Sequence, residues 1–192
     1  MNFMNNVVLC ENNKLVAQVA KLSGMSSIEA AKSLSALERF TTSDFRKIRR
    51  ADKEGKNEGN VKILNNFMHK MPAYDGDIYR GMSFSEKSIK SFIKQLKPHG
   101  DYTLDSVTSF TCDPKIAETY SGHCYQVVIR VKHNHSGVSI SDFSAMYSES
   151  EVLVPKGTKY EVTNVPKEVK LGKVNYVDLE EISIEGNNFE HN

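Results

Sequence analysis

The 192-residue sequence has few cysteines, no long apolar run and almost no net charge, and each absence excludes a class of protein. Its three cysteines, Cys10, Cys112 and Cys124, form no Cys-x-x-Cys pair, which argues against a disulfide framework or a zinc ribbon and favours a reducing compartment. No apolar stretch approaches the roughly 20 residues of a membrane span, and the N-terminus lacks the basic start of a signal peptide. The net charge of +1 predicts no strong attraction of the whole molecule to nucleic acid. We therefore expect a cytoplasmic protein with no membrane partner.

Common nucleotide and metal motifs are also absent. The segment "GKNEG" (55–59) is not a Walker A loop, and no Gly-x-Gly-x-x-Gly occurs. His133 and His135 lie two residues apart, but no cluster of Cys, His or Asp at ligand spacing accompanies them. We expect no metal.

Helical and strand patterns divide the chain near residue 73. Apolar residues recur at helical spacing through most of residues 1–72, where Ser26 and Glu29 form a capping-box signature. Short β-branched segments follow from residue 76 onwards. Because helices come first and strands cluster later without regular βαβ alternation, the predicted fold class is α+β with a mostly antiparallel sheet. We expect a helical part (1–72) packed on a catalytic core (73–192), together one compact domain.

Three segments carry polar residues at or beside predicted strand ends. Arg80 lies in "IYRG", Ser109 in "SVTSFT", and Glu149 and Glu151 in "YSESEVLVP". Side chains two apart on a strand point the same way, so two like charges need a cationic partner, solvent or a function. Each segment alone fits an ordinary surface position, whereas their joint order favours one site.

That order (aromatic-Arg-Gly, then a Ser-x-Thr strand, then Glu-x-Glu before an apolar strand) resembles the arginine–serine–glutamate class of mono-ADP-ribosyltransferases. Size and the helical N-terminal third are most similar to the Mod/Alt group of T4-type bacteriophages, and the resemblance covers roughly residues 76 to 165. It implies the ADP-ribosyltransferase fold, with two small packed sheets, antiparallel or mixed, forming a cleft for NAD. It also implies transfer of ADP-ribose from NAD to arginine side chains of host proteins, RNA-associated proteins among them, with release of nicotinamide.

The resemblance assigns a role to each matched residue. Arg80 anchors the NAD pyrophosphate through its guanidinium fork, and Gly81 lets the backbone approach the ligand. Ser109 orients Glu151 and contacts the nicotinamide ribose. Glu151 stabilises the oxocarbenium-like ribose, and Glu149 holds the incoming arginine. As an exposed strand residue, Glu151 is expected to contribute little to stability.

The serine strand departs from the family's pattern. The family often has Ser-Thr-Ser where this chain has Ser109, Phe110 and Thr111. Thr111 keeps a hydroxyl for the cofactor, and alternation should turn Phe110 into the sheet interior. A register shifted to Thr108 and Ser109 is the alternative.

Aromatic residues near the site have two explanations each. Tyr120 or Tyr125 could stack on nicotinamide, and either could equally be a core tyrosine. Phe143 and Tyr147, with Glu149, are candidates for target recognition, and core packing is the alternative for both aromatic residues.

Two other functions fit the sequence. One is a related NAD-cleaving enzyme, either an NAD glycohydrolase or a toxin-type transferase with another acceptor. The other is a non-catalytic nucleic-acid or protein-binding module that uses the basic helix at 46–53, although neighbouring acidic residues favour a solvated face there.

Overall fold

The computed structural model describes residues 3–144 and 149–182 of the chain. The helices are α1 Phe3–Ser23, α2 Ser27–Thr41, α3 Phe45–Lys53, α4 Gly59–Lys70, α5 Glu86–Gln95 and α6 Pro114–Tyr120. The strands are β1 Gly76–Phe84, β2 Asp101–Thr103, β3 Thr108–Thr111, β4 Tyr125–Asn134, β5 Val138–Ser139, β6 Glu151–Val154, β7 Lys159–Asn164 and β8 Val174–Glu181. None of the helices in these ranges is long and apolar enough to cross a membrane.

Local capping signals fix the starts of two helices. Ser26 accepts a hydrogen bond from the backbone N–H of Glu29, whose side chain returns to the Ser26 N–H, so the predicted capping box of α2 is confirmed. Asp113 accepts from the N–H of Lys115 ahead of α6, and Pro114 opens that helix at a position where proline is favoured. The start of α6 matters for function because this helix lies beside the candidate site.

The described strands form one mixed sheet in the order β2-β7-β8-β4-β1-β3-β6-β5. The neighbouring strands pair antiparallel, apart from β4 and β8, which are parallel. The α+β class is therefore confirmed. The expectation of two separate sheets is corrected in one detail, because β1 and β3 also pair, with Tyr79 opposite Thr111, and this joins the two groups of strands.

The sheet separates two hydrophobic cores. The first is built from the helices before β1 and from sheet residues that include Leu153, while the second packs the centre of the sheet against α5. Along β6, Val152 and Val154 enter the second core and Leu153 enters the first. Strand β6 is therefore buried on both faces, which gives the residues at its start a rigid support.

Candidate active site

A cleft of about 450 Å³ opens beside β1, β3 and β6. Its volume lies within the roughly 300–1,000 Å³ that is usual for small-molecule sites. Arg80, Ser109, Glu149 and Glu151 all line it. The structure therefore brings the four predicted residues together, three of them from the strands β1, β3 and β6 and Glu149 from the turn before β6. Further lining residues from the prediction are Gly81, Thr111 and Tyr120.

Glu151 is a buried carboxylate at the first position of β6. It pairs across the sheet with Thr111, and only 7% of its surface is exposed. Burial is the main cause that raises its pKa above the usual glutamate range, and the charge of Glu149 raises it further. Hydrogen bonding by the nearby hydroxyl groups of Ser109 and Ser144 lowers the pKa and so opposes that shift. The expectation of an exposed strand glutamate is thus wrong, because β6 lies between two cores.

Glu149 is placed by a turn rather than by the strand. Ser150 has a φ of 48°, in the left-handed region that non-glycine residues seldom adopt. The Thr111 hydroxyl donates to the Glu149 carbonyl oxygen at 2.7 Å, and the Cys112 N–H donates to the Ser150 carbonyl oxygen at 3.0 Å. Strand β6 begins only at Glu151, so strand alternation does not explain why both carboxylates line the cleft. The turn at Ser150 brings Glu149 there instead.

Tyr120 contacts the Glu149 carboxylate directly. Its phenol donates a hydrogen bond to Glu149 Oε1 at 2.5 Å, although 58% of the residue is exposed. This bond, with burial as the second cause, raises the pKa of Tyr120 to about 12. The phenol therefore stays protonated at neutral pH and acts as a donor to Glu149.

Arg80 is a partly buried cation on β1. Its Nη1 donates to the Ser109 carbonyl oxygen at 2.5 Å, which ties β1 to β3 at the cleft. Burial, and then the positive charge of Arg49, lower the pKa of Arg80 to about 10, so the group is still charged at neutral pH. Among the residues that the structure describes, no carboxylate forms an ion pair with this guanidinium. Apart from the bond to Ser109, the guanidinium forms no hydrogen bond within the described part of the chain, which leaves its other N–H groups able to bind an anion.

Gly81 and Thr111 have structural partners of their own. A Cβ at Gly81 would lie 1.9 Å from the Ala117 carbonyl oxygen, so a glycine is needed for α6 to pack on β1. The Thr111 hydroxyl is hydrogen-bonded to Glu149 and to the Asp113 N–H. The ligand contacts expected of both residues remain predictions. Phe110 is buried in the second core, as alternation indicated.

Other candidates from the sequence lie apart from these groups or outside the described residues. Phe143 is partly buried against the first core, which favours packing, and Tyr147 lies outside the described residues. Tyr125 packs against the second core and lines a different groove, beside α5. Within the described ranges, no group of three or more His, Cys, Asp or Glu side chains could hold a metal ion.

Arg49 is a residue near the site that sequence reasoning missed. It donates to the Ser106 hydroxyl and to the Val107 carbonyl oxygen, 3.1 Å away, and its charge acts on Arg80. From the sequence alone, Arg49 is one of the cations of the basic helix at 46–53, whose face is expected to be solvated. Its spacing from Phe45 and Asp52 on α3, at i+4 and i+3, is the signal that would have placed it on the face that packs on the sheet.

Comparison with known proteins identifies the family. The profile of the ADP-ribosyltransferase exoenzyme family matches residues 32–185 of the chain. The chain belongs to this family. It is accordingly an ADP-ribosyltransferase, and NAD is its substrate. No curated protein matches the chain significantly.

Solved ADP-ribosyltransferases share the fold at low sequence identity. Vis from Vibrio splendidus, in complex with agmatine, is 20% identical over 91% of this chain and 86% of its own, with a TM-score of 0.64. HopU1 of Pseudomonas syringae is 18% identical over 79% of this chain and 77% of its own, with a TM-score of 0.65. Exoenzyme S from Pseudomonas aeruginosa, bound to carba-NAD, is 15% identical over 94% of this chain and 88% of its own, with a TM-score of 0.65. These similarities support the fold of the transferase.

Proposed function

We propose that this ADP-ribosyltransferase transfers ADP-ribose from NAD to the guanidinium group of arginine in a target protein. The observation that carries the proposal is the pair of carboxylates, Glu149 and Glu151, in the same cleft as Arg80 and Ser109. The two carboxylates differ in environment, since Glu151 is buried and Glu149 is half-exposed. Different environments suit different tasks on the donor and the acceptor.

Arg80, Ser109 and Glu151 form the donor side of the proposed site. The free N–H groups of Arg80 match the oxygens of the NAD pyrophosphate in a way that a lysine would not. When the bond between nicotinamide and ribose breaks, its electron pair leaves with nicotinamide and positive charge develops on the ribose. Glu151, which is buried near the Ser109 hydroxyl, stabilises that charge more strongly than a solvated carboxylate would.

Glu149 forms the acceptor side. A guanidinium is protonated at neutral pH, so it needs a carboxylate that holds it and assists loss of one proton during attack on the ribose carbon. The half-exposed position of Glu149 lets a residue of a second protein reach it. Agmatine, the compound bound to Vis, also carries a guanidinium group, which supports this class of acceptor.

Labelled NAD tests the proposal with agmatine and with a cell lysate as acceptors. We expect label on agmatine and on lysate proteins, and we expect Glu149→Ala to reduce transfer by on the order of a hundredfold while NAD hydrolysis changes far less. Glu151→Gln should reduce both by about 10²–10³-fold or more. Nicotinamide release without label on any acceptor would instead identify an NAD glycohydrolase, and label on other residue types would identify another acceptor.

The resemblance of residues 76 to 165 to the Mod/Alt group supports a narrower proposal about the targets. The resemblance to that phage group implies host proteins of transcription or translation as targets, and we propose the same targets for this chain. Mass spectrometry of labelled bacterial lysate proteins tests this. Label confined to proteins outside those two processes would contradict it.

A further inference from the structure

The bond between Tyr120 and Glu149 joins an exposed aromatic ring to the proposed acceptor carboxylate. Tyr120 lies at the end of α6 and lines the cleft, and its phenol reaches only Oε1 of Glu149. A carboxylate has two oxygens, and no side chain among residues 3–144 and 149–182 bonds to Oε2, so this oxygen is available to a ligand. An exposed ring beside a half-free carboxylate offers the two kinds of contact that a guanidinium forms, a charge-assisted hydrogen bond and a cation–π contact.

Both ends of this bond are held by the fold. Helix α6 is capped by Asp113 and packs through Ala117 against the backbone at Gly81, which fixes the helix that carries Tyr120. The backbone of Glu149 is held by the Thr111 hydroxyl. A hydrogen bond between two fixed elements selects one orientation of the Glu149 side chain, which would otherwise rotate freely at a half-exposed site.

We propose that Tyr120 is a positioning and specificity residue of the acceptor site, whose phenol orients Glu149 for the guanidinium and whose ring covers that guanidinium. This inference rests on the proposed arginine acceptor. It assigns Tyr120 to the acceptor, whereas the sequence left two other roles open for this residue, stacking on nicotinamide and packing in the core. The acceptor role and the nicotinamide role differ in a measurable way, because an acceptor residue changes KM for the acceptor and a nicotinamide residue changes KM for NAD.

The test compares Tyr120→Phe with Tyr120→Leu in the full chain, with agmatine as acceptor. The first variant loses the hydroxyl and keeps the ring, so KM for agmatine should rise about fivefold, the effect of one hydrogen bond at an exposed site. The second loses the ring as well, and KM for agmatine should rise about twentyfold or more. KM for NAD, measured by hydrolysis without acceptor, should stay within about twofold in both.

Tyr176→Phe provides a matched control. The Tyr176 phenol donates to Glu118 Oε1 at 2.5 Å, so the pair has the same chemistry and the same length and also involves α6, yet Tyr176 does not line the cleft. We expect no change in either KM for this variant. A general loosening of α6 would affect all three variants alike.

Two results would contradict the role proposed for Tyr120. A third result would contradict the proposed transfer to arginine itself. Unchanged KM for agmatine in both Tyr120 variants, or a larger change in KM for NAD than for agmatine, contradicts an acceptor role for Tyr120. Failure of the wild-type chain to modify agmatine or any arginine-containing protein contradicts the proposed function itself, and the inference falls with it.

Discussion

At the scale of single residues, Glu151 combines a buried position with a charge that the proposed reaction needs. Burial alone would favour the protonated carboxyl, and the hydroxyl of Ser109 partly restores the charged form. A charge held in a water-poor site acts strongly on a developing cation because little solvent screens it. The cost of that arrangement falls on the stability of the folded state.

The variant Glu151→Gln removes the negative charge of this side chain and keeps nearly the same size and shape. We expect nicotinamide release to fall by about 10²–10³-fold or more, since glutamine cannot stabilise the ribosyl cation. Glu180→Gln, which changes an exposed glutamate of β8 outside the cleft, should keep its activity. Near-full activity of Glu151→Gln would show that Glu151 does not have the assigned role.

The same variant should gain stability relative to the wild type as pH rises. The pKa of Glu151 is raised in the folded state above its ordinary value of 4.5, so the native chain binds the proton more tightly than the unfolded chain. Stability of the wild type is then lost as pH rises from about 4.5 through the raised folded value, whereas glutamine does not titrate. Thermal unfolding of both proteins between acid and neutral pH measures the difference, and a difference that shrinks towards neutral pH would contradict the raised pKa.

At the scale of elements, α3 is fastened to the segment that leads into β3. The Asp52 carboxylate accepts the Val107 N–H at 2.5 Å, and Arg49 donates to the Val107 carbonyl oxygen. Val107 is two residues before Ser109, so these bonds set where β3 begins and hence where the Ser109 hydroxyl meets Glu151. The helical region therefore influences the position of Ser109 in the cleft through the bonds that α3 forms with Val107.

Asp52→Ala should remove this support. The Val107 amide would be left buried without an acceptor, which costs about 1–3 kcal/mol of the free energy of unfolding. Lys53→Ala is the matched control, because its ion pair with Asp105 is exposed (64% and 56%) and should contribute no more than about 1 kcal/mol. Urea unfolding measures both, and Asp52→Asn, which keeps an acceptor oxygen, should recover most of the loss. Equal effects of Asp52→Ala and Lys53→Ala would contradict a specific role for Asp52.

Elements governed by neighbouring residues could be predicted from the sequence, and contacts between distant residues could not. The capping box of Ser26 and the start of α6 at Pro114 follow from a few adjacent residues. The order of the Arg80, Ser109 and Glu151 segments indicated a shared cleft because the family's motif encodes it. The left-handed Ser150 and the bond from Tyr120 depend on packing between β3, α6 and the start of β6, which no local pattern reports.

At the scale of the whole molecule, the helices and the sheet share the first core. Fully buried residues of α2 and α4, including Leu37 and Phe67, pack in one cluster with Val138 and Leu153 of the sheet. The residues of this cluster are buried only when the helices before β1 and the sheet pack against each other. We therefore propose that residues 1–72 and 73–192, expected from the sequence to form one compact domain, fold as a single cooperative unit.

A fragment of residues 73–192 should accordingly fail to fold alone. It would expose four sheet-side members of the first core, namely Val107, Val138, Ile140 and Leu153. Exposing a buried aliphatic side chain costs about 1.5–3 kcal/mol, so the four together approach the roughly 5–15 kcal/mol that stabilises a whole domain. Far-UV circular dichroism and dye binding should show a partly collapsed fragment with exposed apolar surface and no NAD hydrolysis, while the full chain unfolds in one transition. A fragment that unfolds cooperatively and cleaves NAD would instead show that the helical part is a separate accessory, because the sheet would then hold Arg80, Ser109 and Glu151 in place without it.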